Sequence, residues 1–272
     1  MEDLHVDRTR DGDPYRKVIP CEEQPARRGE FRQILGIQFF VGDAQRAVDL
    51  LRNGGLLVVP AAPALKNLPV DTGYREALLG ADLVITDSAL MVIVWNFIQR
   101  DHIRRLSGLK YLVQLLMGSD LRERRRTFWI MPSPVSAIKN LEWLRHQGLN
   151  VPAENVYLAP IYGPVIEDEA LLERIRDRCP TDIIVTIGGG TQERLGLYLK
   201  RNLKPLPAIH CVGAAIAFLS GDQIQIPMWA DRCYLGWLFR CISEPKRYVP
   251  RYWAARKLVT LMFRYRESLP VH

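Results

Sequence analysis

The sequence predicts an α/β fold in which a mostly parallel sheet carries helices on both of its faces. Short apolar runs, typical of buried strands, alternate with segments of helical periodicity from Phe31 to Cys211. The length of 272 residues, 48% of them hydrophobic, suits one domain with an appended segment better than two independent domains. In such a fold the ligand crevice lies beyond the carboxyl ends of the strands.

The individual elements follow from this alternation. Seven apolar runs are predicted to be strands: Ile34–Val41, Leu56–Pro60, Leu83–Thr86, Phe128–Met131, Val156–Ala159, Ile183–Ile187 and Ala208–Val212. Seven segments with helical periodicity lie among them: Ala44–Arg52, Tyr74–Leu79, Ala89–Gln99, Tyr111–Met117, Pro134–His146, Asp168–Arg178 and Gln192–Asn202. Strands joined through helices in this order indicate a Rossmann-like sheet.

The two ends of the chain differ from this central region, which we assign to residues 31–224. Residues 1–30 are polar, charged and rich in breakers, and are predicted to form a poorly ordered tail. Residues 225–272 are predicted to form a helical, basic appendage with helices at Trp229–Ile242 and Lys246–Tyr265. This appendage holds nine Lys and Arg against three acidic residues, a net charge of +6 out of +7 for the whole chain.

Cysteine content and hydropathy bear on location. The five cysteines are odd in number and form no CxxC pair, and the first thirty residues lack the apolar run of a signal peptide. A reducing, cytoplasmic setting is therefore expected. Polar residues interrupt the longest apolar stretch, residues 81–98, so no membrane-spanning segment is expected.

A glycine-rich segment, Gly188 to Gly190, follows the apolar run Ile183–Ile187 and precedes a predicted helix. Glycines at this place let the backbone approach a phosphate, while the helix N-terminus offers amide donors. The alternative is a tight strand-to-helix turn with no ligand. The segment lacks the P-loop lysine and the full dinucleotide-binding spacing, which disfavours NTPases and dehydrogenases.

Asp87 stands at the carboxyl end of another predicted strand, directly before a predicted helix. A carboxylate there could take a proton from an acceptor hydroxyl, or it could simply cap the helix. Eighteen residues further on, Arg105 follows a basic cluster. It could contact a phosphate, or it could belong to a solvated run of charges.

Aromatic residues alternate with cations through the C-terminal helices, as in segments that lie in the headgroup region of a membrane. Two other interpretations remain open: helices packed on the domain's own core, and a nucleic-acid-binding patch. The second is disfavoured because no recognisable nucleic-acid-binding module is present.

The order and spacing of these segments resemble the WecG/TagA/CpsF glycosyltransferases, also called glycosyltransferase family 26. The resemblance covers about Ile34 to Tyr252. Its motifs are Gly80–Ser88, Arg105–Gly108, Gly188–Glu193, Ile226–Trp229, Gly236–Arg240, Glu244–Arg247 and Arg251-Tyr252.

The resemblance implies an inverting transfer of a hexosyl or N-acetylhexosaminyl group from a UDP-sugar to a lipid-linked saccharide acceptor. It places Asp87 as the catalytic base. It assigns donor binding to Arg105, Gly188, Gly189, Gly190, Gln192 and Glu193, and the membrane or acceptor side to Arg240, Arg247, Arg251 and Tyr252. No cofactor and no metal ion are expected, since the central region lacks an Asp-x-Asp motif and the family resembles metal-independent transferases.

The expected partners are the UDP-sugar, the lipid-linked acceptor and the anionic inner face of the cell membrane, with no nucleic acid; homo-oligomerisation is left open. Gly190 replaces the family's proline in the glycine-rich segment, and at two further places polar site positions have become apolar. Pro60-Ala61-Ala62 replaces Thr-x-Asn, and Ala217 replaces an aspartate. These changes motivate one alternative, a relative with altered or lost activity that binds a nucleotide-sugar. The basic C-terminal helices motivate another, a membrane- or nucleic-acid-binding module.

Overall fold

A computed structural model describes residues 29–118, 126–223, 230 and 235–270. Its eight strands form one sheet with the order β1-β2-β4-β3-β8-β7-β5-β6. Their bounds are Phe31–Ile34 (β1), Ile37–Phe40 (β2), Gly55–Val58 (β3), Leu83–Ile85 (β4), Thr127–Met131 (β5), Val156–Leu158 (β6), Asp182–Val185 (β7) and Ala208–Cys211 (β8). Across the sheet in this order, every neighbouring pair of strands after β1-β2 is parallel, which confirms the predicted sheet.

The first predicted strand, Ile34–Val41, is wrong as a single element. Leu35 and Gly36 both have positive φ, 51° and 74°, and turn the chain so that β1 and β2 pair antiparallel. Leu35 is apolar and fully buried, so the run looks continuous in sequence although its backbone reverses.

Twelve α-helices lie in the described part of the chain. They are Ala44–Leu50 (α1), Ala62–Leu65 (α2), Thr72–Leu79 (α3), Ala89–Gln99 (α4), Gly108–Met117 (α5), Pro134–His146 (α6), Glu169–Arg178 (α7), Thr191–Asn202 (α8), Ala215–Ser220 (α9), Gly236–Ser243 (α10), Pro245–Ala255 (α11) and Lys257–Tyr265 (α12). Asp and Ser side chains cap six of them by accepting a backbone N–H of the first turn. The short helices α2 and α9 were not predicted.

The sheet buries both of its faces, because successive residues of its strands point to opposite sides. Leu56 and Val58 of β3 pack into one cluster with α3, α4, α7, α8 and α12. Leu57, between them, packs into the other cluster with α1, α5, α6 and α9. Because two layers of helices cover the faces of the sheet, the edge formed by the carboxyl ends of the strands remains accessible to a ligand.

The C-terminal helices pack on the central region. The predicted helix Lys246–Tyr265 is divided in two at Arg256, and its second half, α12, lies against α4 with Leu258 and Met262 fully buried. The N–H groups of Leu35 and Gly36 donate to the carbonyls of Arg266 and Glu267, at 2.7 and 2.8 Å. Of the alternatives left open by the sequence, packing on the domain's own core therefore holds for α12.

Candidate active site

A cleft of about 760 Å³ lies over the carboxyl ends of the central strands. The segments that follow β3, β4, β5, β7 and β8 all line it, and α10 and α11 close one side. The strand order changes direction between β3 and β8, which is where an open α/β sheet places its ligand crevice. Of the predicted site residues, the cleft brings together Asp87, Arg105, Gly188, Gly189, Gln192, Arg240, Arg251 and Tyr252.

Asp87 lies in the loop between β4 and α4, and its side chain is 22% exposed. It is not the helix cap: Ser88 fills that position, its hydroxyl accepting the N–H of Met91 at 3.2 Å. The Oδ1 atom of Asp87 instead accepts the N–H of Gly108 at 3.0 Å, in the first turn of α5. Among the described residues its Oδ2 has no hydrogen-bond partner, so this oxygen can accept a proton from a ligand in the cleft.

Arg105 lies beside Asp87 and is largely buried, with 14% of its side chain exposed. Its Nε donates to the carbonyl oxygen of Asp87 at 2.5 Å, and its Nη2 lies 3.4 Å from Oδ1 of the same residue. The guanidinium is thus held in one orientation at the wall of the cleft. A cation fixed in this way can stabilise negative charge on a bound ligand.

The glycine-rich loop runs from the end of β7 into the N-terminus of α8. A Cβ added at Gly188 would meet no atom within 4 Å, so the backbone there is open to the cleft. Gly190 has a φ of +93°, which favours glycine, and it forms the helix cap. The loop therefore presents bare backbone beside a helix N-terminus, an arrangement suited to phosphate.

Glu193 and Gly190 do not line the cleft. The Glu193 carboxylate is completely buried and accepts the N–H of Gly190 at 2.6 Å, so it shapes the loop from behind. Burial raises the pKa of Glu193 to about 7, against the lowering effect of its hydrogen bonds. A positioning role fits this geometry better than direct contact with a donor.

Gln192 lines the cleft and is 2% exposed. Its Nε2 donates to Glu193 at 3.3 Å, whereas its Oε1 is buried without a hydrogen-bond partner among the described residues. A buried acceptor without a partner costs about 1–3 kcal/mol. A ligand in the cleft that donates a hydrogen bond to this oxygen would remove this cost.

Arg240 closes the cleft from the side of α10. Its Nη1 donates to the Tyr252 hydroxyl at 3.2 Å, and its guanidinium lies 4.5 Å from the centroid of the Phe218 ring. Its Nε is buried and has no partner in the described part of the chain. Arg251 lines the same wall and is exposed. The side chain of Arg247 and the segment Ile226–Trp229 lie outside the described residues.

Comparison with known proteins adds the deciding observation. A model of the "Glycosyl transferase WecG/TagA/CpsF family" matches residues 32–270. The chain belongs to this family. A relative from Bacillus spizizenii, an N-acetylglucosaminyldiphosphoundecaprenol N-acetyl-beta-D-mannosaminyltransferase, is 23% identical over 209 residues, which cover 74% of this chain and 78% of the relative.

As a WecG/TagA/CpsF member the chain is a glycosyltransferase. The structure shows where its departures from the family pattern lie. Ala61 and Ala62 line the cleft directly, at the end of β3. Ala217 is 5% exposed on α9 and does not reach the cleft. The replacement of polar by apolar residues therefore affects one wall of the cleft, which is formed by Val59, Ala61, Ala62 and Pro63.

Sequence reasoning missed several groups that shape the site. The amide of Gly108 was not predicted as a partner of Asp87. The Arg194 side chain donates hydrogen bonds to the carbonyl of Gly190 at 3.2 Å and to that of Pro164 at 3.0 Å. Asp222, in the cleft wall, accepts the Ser136 hydroxyl at 2.6 Å. Only the i, i+4 spacing of Gly190 and Arg194 offered a signal in the sequence.

Among residues 29–118, 126–223, 230 and 235–270, no group of three or more His, Cys, Asp or Glu could hold a metal ion. No helix there is both long and apolar enough to cross a bilayer.

Proposed function

We propose that this glycosyltransferase moves a sugar, with inversion, from a UDP-sugar donor to a lipid-linked saccharide acceptor at the membrane surface. One observation carries the proposal: the Asp87 carboxylate and the open backbone of the glycine-rich loop line a single cleft. A carboxylate supplies the base for the acceptor, and the loop supplies a phosphate site for the donor.

The donor diphosphate is placed against Gly188, Gly189 and the N-terminus of α8. Bare backbone and the positive end of the helix dipole favour a diphosphate there. Arg105, which lines the same cleft, adds a fixed positive charge. The unpartnered Oε1 of Gln192 accepts a hydroxyl or amide of the donor.

Asp87 then acts as the general base. The acceptor hydroxyl oxygen attacks the anomeric carbon, and its proton passes to Oδ2 of Asp87. The bond between the anomeric carbon and the diphosphate oxygen breaks, and UDP leaves with the bonding electron pair. The amide of Gly108 and the Arg105 guanidinium keep Oδ1 engaged, so that Oδ2 faces the acceptor.

The acceptor enters from the side of α10 and α11, where Arg240 and Arg251 offer positive charge. This is the charge that a lipid-linked diphosphate requires, and the relative from B. spizizenii is named for such an acceptor. The exposed cations and aromatic side chains of α11 and α12, including Trp253 and Arg256, hold the enzyme peripherally on the inner face of the cell membrane.

The test is a transfer assay with the purified chain, a panel of UDP-sugars and a lipid-linked saccharide diphosphate. We expect one donor to yield product of opposite anomeric configuration, read by NMR, and release of UDP. Retained configuration would overturn the inverting mechanism. Binding of a UDP-sugar without product would instead favour a nucleotide-sugar-binding relative, the alternative suggested by the alanines at positions 61 and 62 in the cleft wall.

A further inference from the structure

Helix α4 carries an unusual surface stripe. Its eleven residues, Ala89–Gln99, include no charged side chain. One face is buried in the core through residues such as Met91 and Trp95. A helix on a protein surface normally carries polar or charged residues on its other face, but here Ile93 is 52% exposed and Phe97 is 76% exposed.

The stripe is continuous with the cleft. Leu90, Ile93 and Phe97 follow the i, i+3, i+7 spacing and therefore share one face of α4. Leu90 and Ile93 line the cleft itself, whereas Phe97 lies one turn beyond it. From Leu90 to Phe97 the stripe extends about 10 Å along the helix axis. Its inner end begins three residues after Asp87.

The position of the stripe in the fold indicates which kind of molecule binds it. A flat bilayer surface can cover Phe97 but cannot reach Leu90 inside a cleft, whereas a flexible hydrocarbon chain can follow the whole stripe. Arg240 and Arg251 line the same cleft, so a molecule with an anionic head and an apolar tail matches both the cations and the stripe. The acceptor of the B. spizizenii relative, named as a diphosphoundecaprenol, has this chemistry.

We propose that the stripe Leu90–Ile93–Phe97 binds the hydrocarbon chain of the lipid-linked acceptor next to its diphosphate. This inference rests on the proposed function and adds to it a site on α4 for the lipid, separate from the C-terminal helices. The chain is thereby aligned so that the saccharide hydroxyl reaches Asp87. Acceptors with a long chain are bound more tightly than those with a short one.

The experiment compares two acceptors with the same saccharide diphosphate, one carrying a long polyprenyl chain in detergent micelles and one carrying a short, water-soluble chain. The variant Phe97→Ser removes the outer end of the stripe without touching the cleft. The control variant Ile138→Ser removes an apolar side chain of similar exposure (67%) from α6. Since the hydrocarbon chain would bury the Phe97 side chain, we expect Phe97→Ser to lower kcat/KM for the long-chain acceptor about tenfold or more.

With the short-chain acceptor, Phe97→Ser should match the wild type, and Ile138→Ser should match it with both acceptors. Equal losses for both acceptors, or no loss for either, would overturn the proposal. So would a parallel loss of binding to vesicles that contain no acceptor, because the stripe would then bind the bilayer, or a change in oligomeric state, because it would then bind a second copy of the chain.

A second measurement separates this inference from the proposed function. Binding of a long-chain polyprenyl monophosphate, in the absence of any donor, should weaken in Phe97→Ser and persist in Ile138→Ser. Intact binding of this probe in Phe97→Ser overturns the inference even when transfer occurs. Normal chain binding together with no transfer from any UDP-sugar means that the proposed function fails and the hydrocarbon site stands.

Discussion

The carboxylate of Asp87 accepts the backbone N–H of Gly108 at 3.0 Å, joining the end of β4 to the first turn of α5. This contact fixes one carboxylate oxygen through a backbone N–H, which only a proline at position 108 would remove. The other oxygen is left for the chemistry of the cleft. Because Ser88 caps α4, the position of Asp87 is not explained by helix capping.

The first prediction is that Asp87→Asn folds normally and loses transfer activity by about 10²–10⁴-fold. The Asn amide oxygen can still accept the Gly108 N–H, but the side chain can no longer take a proton. Thermal melts and turnover measured on the same preparation check this. Activity within a few-fold of wild type would remove Asp87 from the mechanism, while Ser88→Ala, which deletes the cap, should lower stability by about 1 kcal/mol.

The second prediction concerns the glycine-rich loop. Gly188→Val should fold, because its Cβ meets no neighbour within 4 Å, but the added side chain would keep UDP from the backbone. Calorimetry with UDP should show weakened or absent binding. Gly190→Val is the matched comparison: a φ of +93° makes it strained, so it should lower the melting temperature as well. Unchanged UDP affinity in folded Gly188→Val would mean that the loop is only a turn.

The fold was predictable where local signals agree. The bounds of α4 and α6 match their predictions because apolar periodicity runs between clear caps, Ser88 and Ser133. The turn at Leu35 and Gly36 was missed because the glycine lies inside an apolar run and a leucine gives no sign of a positive φ. The split of the last helix at Arg256 was missed because its apolar spacing continues across the break.

The site was predictable in part, because strand ends can be read from a sequence but backbone donors and buried distances cannot. Asp87 and Gln192 follow different strands and meet in one cleft, as the parallel sheet requires. The roles of the Gly108 amide and of Arg194 depend on tertiary contacts. Glu193 sits beside Gln192 in the chain, and only the structure shows that it lies behind the loop.

The third prediction is a pH dependence of stability that originates at Glu193. Its pKa in the folded protein, about 7, lies above the ordinary value of 4.5 because of burial. A raised carboxyl pKa contributes stability that is complete below about pH 4.5 and is lost as the pH rises through 7. The loss amounts to at most about 3 kcal/mol.

Glu193→Gln keeps an acceptor for the Gly190 N–H and removes the titration. Denaturant unfolding at pH 5 and pH 8 measures the difference. The unfolding free energy of the wild type should fall between these pH values relative to that of the variant. Parallel pH profiles for the two proteins would show that Glu193 does not titrate in this range.

The last prediction concerns the C-terminal helices, whose cations should hold the enzyme on anionic membranes. Deleting residues 246–272 would not separate membrane binding from folding. The deletion removes Leu258 and Met262 from the core and should abolish the cooperative melt. A surface variant avoids this difficulty: Arg256→Glu, Lys257→Glu and Arg264→Glu change exposed positions only. Each cation near an anionic surface contributes about 1 kcal/mol, so the triple variant should release the protein from anionic vesicles.

The matched control reverses the same charge at three other exposed positions, Arg126, Arg145 and Arg178, which precede β5, β6 and β7. This control should still co-sediment with anionic vesicles, and raised salt should weaken its binding and that of the wild type, because exposed charges are screened within about 10 Å at 0.1 M ionic strength. Equal release of both triple variants would mean that net charge alone holds the protein on the vesicles. Full retention of the C-terminal variant would mean that these helices do not bind the membrane through charge.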